Sequence, residues 1–459
     1  MSALWTSADI AAATGGVASA PFEVSGVAFD SREVGKGDLF IAMKGEATDG
    51  HRFVEGAFAQ QAGGAIVSTP VAHPHVLVAD TTAALEALGV AARARAQAQA
   101  RIAGVTGSVG KTSTKEALAA ALARAQKGPV HRSVKSYNNH TGVPLSLARM
   151  PAETRFGVFE MGMNHSGEIA ALTRMVRPHV ALVTALAPAH IENLGSMEGI
   201  ADAKGEVFQG LEPGGTAVIP FDTPYRDRLI AAAQPYAANI VTFGRGEGAD
   251  VRARDVVQLD AGTMVAAVLP GVELCFTLSQ PGDHWVSNAL AVLAAMQAMG
   301  GDLAAAGLAL GDLAGLTGRG ARHQINVDGG TALLVDESYN ANSASMAATL
   351  AVLGAEPAPR RIAVLGEMRE LGSNSEMLHA GLAEPVMAAR VDFALLVGPG
   401  MVPLAKVLSG KVKVLHVADA DAALAALRPL LRADDAILIK GSNAVGLGRV
   451  VASLAGGND

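Results

Sequence analysis

The amino-acid sequence predicts an α/β protein of three units, covering residues 1–97, 98–316 and 317–459. Three observations predict it. A chain of 459 residues exceeds a single core and divides into about two to four domains. Hydrophobic residues make up 50% and charged residues 17%, enough apolar surface to fill such cores. From about Ile102, short apolar strands closed by glycine or polar residues alternate with helical stretches. That rhythm implies a mainly parallel sheet covered on both faces, and it restarts near Leu316.

In the first unit, "VSGVAFDSR" and "DLFIAMKG" read as strands closed by turns. "HRFVEGAFAQQAGGAIVS" reads as a helix, a Gly-Gly stop and a strand. "EALGVAARARAQAQA" reads as a helix that carries the chain into the second unit. There, "ARIAGVTG" is a strand and "KTSTKEALAAALARA" a helix, followed by the strands "FGVFEMG", "HVALVTAL" and "GTAVIP". The long apolar run "SNALAVLAAMQAMGGDLAAAGLALGDLAGL" is broken by Gln297, Gly300, Gly301 and Asp302, so a buried helix pair is expected rather than a membrane span. In the third unit "TALLVDES", "RIAVLGEM", "DFALLVGPG", "VKVLHVA" and "DAILIKGS" are strands. They alternate with helical stretches such as "LHAGLAEPVMAAR" and "DAALAALRPLLR", a second doubly wound sheet whose ligand is expected beyond the strands' carboxyl ends.

Bulk chemistry narrows the function. A formal net charge of -7 argues against a general nucleic-acid or membrane-surface binder. The single cysteine, Cys275, allows no internal disulfide and fits a reducing compartment. The N-terminus has no basic n-region and carries Asp9, a poor signal peptide, so a cytoplasmic location is expected.

The stretch "AGVTGSVGKTSTKEA", residues 103–117, departs from the pattern G-x-x-x-x-G-K-[ST]: Val105 stands where the first glycine belongs, and Gly104 is one place early. The physical requirement survives. An anion needs a strand, a turn of small residues and a helix N-terminus whose N–H groups converge. Gly104, Gly107 and Gly110 allow the turn, Lys111 supplies charge, and Thr112 places a hydroxyl where Mg²⁺ would sit. A glycine-rich connection without a ligand is the alternative; the apolar strand before and helix after "GKT" favour phosphate. Further polar stations follow at strand ends: Glu160 in "FEMGMNHSGE", His190 in "VTALAPAHIENLGS", and Lys204 on the next helix. Each alone is better read as an ordinary polar terminus or, for Lys204, a solvated helix residue. Together, a carboxylate, an imidazole and the loop hydroxyl suit Mg²⁺ near ATP phosphates. The pair Asn138–Asn139 in "KSYNNHTGVPLS" reads equally as a ligand contact or an Asx turn.

These residues resemble the Mur ligases of peptidoglycan synthesis, whose ATP loop is T-G-(S/T/N)-x-G-K-T/S, matched by "TGSVGKTS". "DSREVGKGDLFIAMKGEATDGHRFV" resembles the family's uridine-nucleotide-binding domain, and "AHIENLGSMEGIADAKGEVF" its second Mg²⁺ segment. "PGDHWVSNALAVLAA" resembles the adenine-contacting helix, with Asn288 in the matching place, and "GRGARHQ" with "LLVDESYNANSASM" the start of the domain that closes over ATP. "LLVDESYNANSASM" with "GEMRELG", "KSYNNHTGVPLSLARM" and "EMGMNHSGEI" are most similar to members that add D-alanyl-D-alanine to the UDP-muramoyl tripeptide.

The resemblance implies an N-terminal α/β UDP-substrate domain, a central P-loop ATPase domain and a C-terminal Rossmann-like domain that closes on ATP and D-Ala-D-Ala. It implies ATP-dependent ligation of D-Ala-D-Ala to UDP-N-acetylmuramoyl-tripeptide through an acyl phosphate, by a cytoplasmic monomer. ATP contacts are implied for Gly107, Ser108, Val109, Gly110, Lys111, Thr112, Ser113, Asn288, Arg319 and Asp336; metal contacts for Thr112, Glu160 and His190; and a catalytic role for Lys111, Glu160, His190 and Lys204. In related ligases a lysine matching Lys204 can carry a carbamate that ligates metal. Substrate contacts are implied for Ser31, Arg32, Gly45, Asp49, His51, Asn138, Asn139, His140, Asn340 and Asn342. Without the resemblance, Arg32 is equally a surface arginine and the last two asparagines an Asx turn. Two departures stand out: Ser343 where that type has proline, and Asn443 where arginine follows "KGS". Rival readings are a ligase of the same family for a different muramoyl peptide; a folate-glutamate ligase, which lacks the "DSR…GDLFIA" segment; a P-loop kinase or motor ATPase, which needs neither that segment nor a third α/β unit; and a binding module that has lost catalysis, against which intact Lys111, Thr112, Glu160 and His190 argue.

Overall fold

A computed structural model describes residues 3–45, 48–188, 191–259 and 262–456. Among them the chain forms three large sheets, each of the expected α/β kind. The N-terminal sheet runs in the order Val17–Ala18, His75–Leu77, Gly64–Val67, Asp38–Ile41 and Gly26–Ala28, with all but the first pair parallel. Helix Thr81–Ala94 starts where the Asp80 carboxylate accepts the N–H groups of Thr82 and Ala83, and it carries the chain to the central sheet. Just beyond it Arg95 lies over the Trp5 ring, 3.5 Å from the centroid, and donates to the carbonyls of Leu4 and Met150. This ties the first sheet to the second.

The central sheet orders Val272–Leu278, Gly262–Leu269, Val251–Leu259, Asn239–Gly244, Thr216–Pro220, Val180–Val183, Arg101–Thr106, Phe156–Glu160 and Val130–Arg132. The phosphate-loop strand Arg101–Thr106 lies between Phe156–Glu160 and Val180–Val183, parallel to both. Chain order reverses at this strand, and a ligand is expected beyond the carboxyl ends of strands at such a switch point. The three strands at 251–278 form an antiparallel meander that the apolar-run pattern did not reveal. Only one face of Gly262–Leu269 is buried, in strict alternation, so it reads at period two rather than as a continuous apolar run. The expected helix pair is present as Asp283–Ala298 and Leu303–Gly311; it packs with Lys111–Arg124 through buried Leu118, Leu122, Leu290 and Leu293. No described helix is long and apolar enough to cross a membrane.

The C-terminal sheet runs Ala321–Val327, Gly330–Glu337, Asp435–Lys440, Arg360–Gly366, Phe393–Val397 and Lys413–Val417. Its first strand is antiparallel and the rest parallel. The stretch "LHAGLAEPVMAAR" divides into Ser375–Ala380 and Ala383–Ala388, two short helices rather than one.

Candidate active site between the central and C-terminal sheets

The loop after Arg101–Thr106 is shaped by two glycines that no other residue replaces without strain. Gly107 has φ +145°, and a Cβ there would strike Thr184 Oγ1. Gly110 has φ +83°, with a Cβ position 2.6 Å from Asn288 Oδ1. Thr184 donates to the Val109 carbonyl at 2.5 Å, and Ser108 N–H to the Ala185 carbonyl at 2.7 Å, so the loop is pinned to the next strand. Val105 is fully buried beneath it and pairs in register with Glu160 and Leu182. The pattern's missing glycine is therefore a core position of the strand.

Lys111 opens helix Lys111–Arg124, and its ammonium donates to the Gly107 carbonyl at 2.7 Å. Burial lowers its pKa, opposed by Glu160 and reinforced by Arg319. Ser108 Oγ is buried without a hydrogen-bond partner among the described residues, a donor left for a ligand. Glu160 is 1% exposed; Oε2 accepts from Thr112 at 2.8 Å and Oε1 from Asn138 at 2.7 Å. A hydroxyl and a carboxylate side by side at a phosphate loop are hard oxygen donors that fit Mg²⁺, with phosphate and water completing the shell. Among the described residues no group of three or more His, Cys, Asp or Glu could hold a metal unaided. His190 lies outside the described residues.

Lys204, on helix Met197–Gly205, is 1% exposed, and its side-chain amine makes no hydrogen bond or ion pair to another described residue. Burial, then repulsion from Lys111, lowers its pKa well below the ordinary lysine value.

A cavity of about 770 Å³ opens in front of the loop. Ser108, Val109, Gly110, Lys111, Ser113, Asn138, Asn139, Glu160 and Asn288 line the central side; Arg319, Asn340 and Asn342 line the opposite wall. Residues distant in sequence thus share one space. Arg319 stacks over the Tyr339 ring at 4.5 Å.

Several of the expected contact residues also carry structural roles. Asn139 Oδ1 accepts the Gly142 N–H, closing the Asx turn that was the alternative reading. Asn342 caps helix Ser343–Ala355 by accepting the Ser345 N–H. Asn340 Oδ1 accepts the Ala341 N–H. His140 is exposed and does not line the cavity. Asp336 is absent from the cavity wall as well: its carboxylate accepts from Gly318 N–H at 2.6 Å and from Ser338 N–H and hydroxyl, which ties the crossover segment to strand Gly330–Glu337.

Ser31, Arg32, Gly45, Asp49 and His51 lie apart from this cavity, in loops after the carboxyl ends of Gly26–Ala28 and Asp38–Ile41. Arg32, its side chain 87% exposed, pairs with Asp30 and holds that carboxyl at about 2 through side-chain and backbone hydrogen bonds. His51 is committed at both nitrogens: Nδ1 lies 2.7 Å from Asp49, and Nε2 accepts the Ser68 N–H. The Ser31 carbonyl accepts from Gln60, and Gly45 N–H donates to Thr48.

The cavity also takes in residues that the motifs did not single out. Lys440, 2% exposed, donates to the Asn340 carbonyl at 3.0 Å and pairs with Glu337 at 3.3 Å; burial lowers its pKa. The available signal was a charge closing the apolar strand "DAILIK", the same signal that marked Glu160. Of the two departures, Ser343 is the first residue of its helix, a position that accepts proline or serine alike. Asn443 lines the cavity, as does Arg369 of a neighbouring loop, whose guanidinium pairs with Glu367.

Three family models match in chain order: "Mur ligase family, catalytic domain" at residues 23–127, "Mur ligase middle domain" at 105–296 and "Mur ligase, glutamate ligase domain" at 321–443. The chain is 36% identical to the UDP-N-acetylmuramoyl-tripeptide–D-alanyl-D-alanine ligase of Escherichia coli K12, over 96% of each protein. It is 35% identical to the enzyme of that name from Bacillus subtilis, over 94% of this chain and 93% of the relative. Among solved structures it superposes on MurF from Acinetobacter baumannii with a TM-score of 0.85 at 31% identity, covering 98% of this chain and 99% of that one. MurF ligase from Thermotoga maritima in complex with ADP gives 0.78 at 27%, covering 94% and 97%. E. coli FolC, in complex with DHPP and ADP, shares the fold at 18% identity and a TM-score of 0.61, over 80% of this chain and 92% of that one. With the phosphate loop at its switch point and relatives matched from end to end, the chain belongs to the Mur ligase family.

Proposed function

We propose that the chain is an ATP-dependent ligase that joins D-alanyl-D-alanine to UDP-N-acetylmuramoyl-tripeptide, giving the pentapeptide, ADP and phosphate. A carboxylate is a poor acyl donor, so an oxygen of the tripeptide's terminal carboxylate first attacks the γ-phosphorus of ATP and ADP leaves. The dipeptide amine then attacks the acyl phosphate, loses a proton, and the tetrahedral intermediate expels phosphate. Lys111 and the N–H groups of residues 107–113 hold and neutralise the phosphates. Positioning and electrostatics carry most of the catalysis in phosphoryl transfer. Thr112 and Glu160, with His190, would hold Mg²⁺, which supplies charge neutralisation on the triphosphate when bound. The low pKa of buried Lys204 favours its neutral amine, the form that combines with CO₂, and this supports a carbamate there. Ser31, Arg32 and their neighbours would take the UDP group on unit 1–97, unit 98–316 ATP, and unit 317–459 would close on ATP and D-Ala-D-Ala to exclude water. We place the enzyme in the cytoplasm as a monomer.

The observation that carries this reading is the single cavity shared by the phosphate loop, Glu160 and the carboxyl ends of the C-terminal strands. Phosphate release is expected to require both the UDP-tripeptide and D-Ala-D-Ala, with the pentapeptide seen by mass spectrometry. Release with neither substrate, or with folate and glutamate instead, refutes the reading.

A further inference from the structure

Lys115 lies one turn beyond Lys111 on the same helix, and its side chain is fully buried. It does not line the cavity. Its ammonium donates to the carbonyls of Ser133 and Lys135 at 2.8 and 2.6 Å and pairs with Glu116 at 2.9 Å. It lies 3.9 Å from Glu160 Oε2. Desolvating a charge this fully is costly, and Lys111 already faces the phosphate position.

What Lys115 holds is the backbone of residues 133–138. This segment passes through Lys135 at φ +53°, a left-handed conformation that a lysine does not keep unaided. Its side chains then reach three ways. Ser133 Oγ accepts the Glu160 N–H at 3.2 Å, and Asn138 donates to Glu160 Oε1. Lys135 pairs with Glu33 of the N-terminal unit, and Tyr137 Oη lies 3.0 Å from both Glu33 carboxylate oxygens. The Ser136 hydroxyl shares a hydrogen bond with Tyr339 of the C-terminal unit.

We propose that Lys115 is a positioning residue: by fixing segment 133–138 it aims the Glu160 carboxylate beside Thr112 and joins that station to both neighbouring units. The inference rests on the nucleotide reading above. Its test is equilibrium binding of a fluorescent ADP analogue, measured with Mg²⁺ and with EDTA. In the unaltered protein Mg²⁺ is expected to tighten binding. Lys115→Met is expected to lose about tenfold of that enhancement, as outer partners of a metal site do when removed. Its affinity in EDTA stays unchanged, because Lys111 and the loop N–H groups are intact. Asn138→Ala is expected to lose a similar factor, and the double variant no more than either single one, since both act through Glu160. Lys115→Leu, which likewise removes the donors, replaces the methionine variant if that does not fold. A folded variant with full Mg²⁺ enhancement, equal losses with and without Mg²⁺, or additive losses would overturn the inference. An unaltered protein without Mg²⁺ enhancement overturns the nucleotide reading itself, and the inference with it.

Discussion

Replacing Lys204 with methionine is expected to stabilise the fold while abolishing ligation. Lys204 is 1% exposed, its amine has no hydrogen bond or ion pair to a described residue, and burial plus Lys111 depresses its pKa. In the window between that depressed value and the ordinary 10.5, the folded chain holds the amine neutral and the unfolded chain holds it protonated. Unfolding then takes up one proton, so stability rises with pH by about 1.4 kcal/mol per unit across the window. Below the window both states are charged and the full cost of burial applies; above 10.5 both are neutral and it vanishes. Methionine keeps the apolar stem contacts and removes the polar head. A buried polar group without a hydrogen bond costs about 1–3 kcal/mol even when neutral, and the ionisation cost adds to it below 10.5, so a gain of at least that size is expected at neutral pH. For a domain the size of the central unit each 1 kcal/mol shifts Tm by about 2–4 °C. Denaturant titrations of nucleotide-free protein at a series of alkaline pH values read both the gain and the lost slope. A destabilised variant that keeps the slope would refute the reasoning, since the amine would then be paired rather than merely buried.

Gly110→Ala forces a left-handed φ on a side chain aimed at Asn288, at a cost of about 1–2 kcal/mol; ADP affinity is expected to fall at least about tenfold by fluorescence titration, and an unchanged affinity would contradict the loop geometry. Asp336→Ala leaves the buried Gly318 N–H without its acceptor and is expected to cost about 1–3 kcal/mol in denaturant stability with little change in nucleotide affinity. The opposite pattern would return Asp336 to the ATP site. Arg32→Ala removes an exposed ion pair, so denaturant stability should hardly move while the KM for the UDP-substrate rises; an unchanged KM would take Arg32 out of the substrate site.

The elements most legible in the sequence were those whose pattern is local. The apolar strands of the second and third units, the helix pair at 283–311 and the strand–glycine–helix of the phosphate loop follow from periodicity and turn chemistry within a few residues. The meander at 251–278 escaped because its strands bury one face only. At the site, Glu160 was legible as a charge ending an apolar strand, whereas Lys440 offered the same signal without a recognised motif beside it. Asp336 and His51 carry the chemistry of a site, and in the structure each also accepts a backbone N–H.

The sequence by itself determined the α/β class, the phosphate loop and the family, because glycine placement, strand-end charges and helix starts are encoded in runs of adjacent residues. Only the tertiary structure decided which polar groups face the ligand and which hold the chain. That choice turns on long-range pairs: Thr112 with Glu160, Lys115 with Ser133 and Lys135, Asp336 with Gly318. A buried polar atom must find a partner, and which partner is in reach is fixed by sheet order and strand register, quantities that no local stretch of sequence contains.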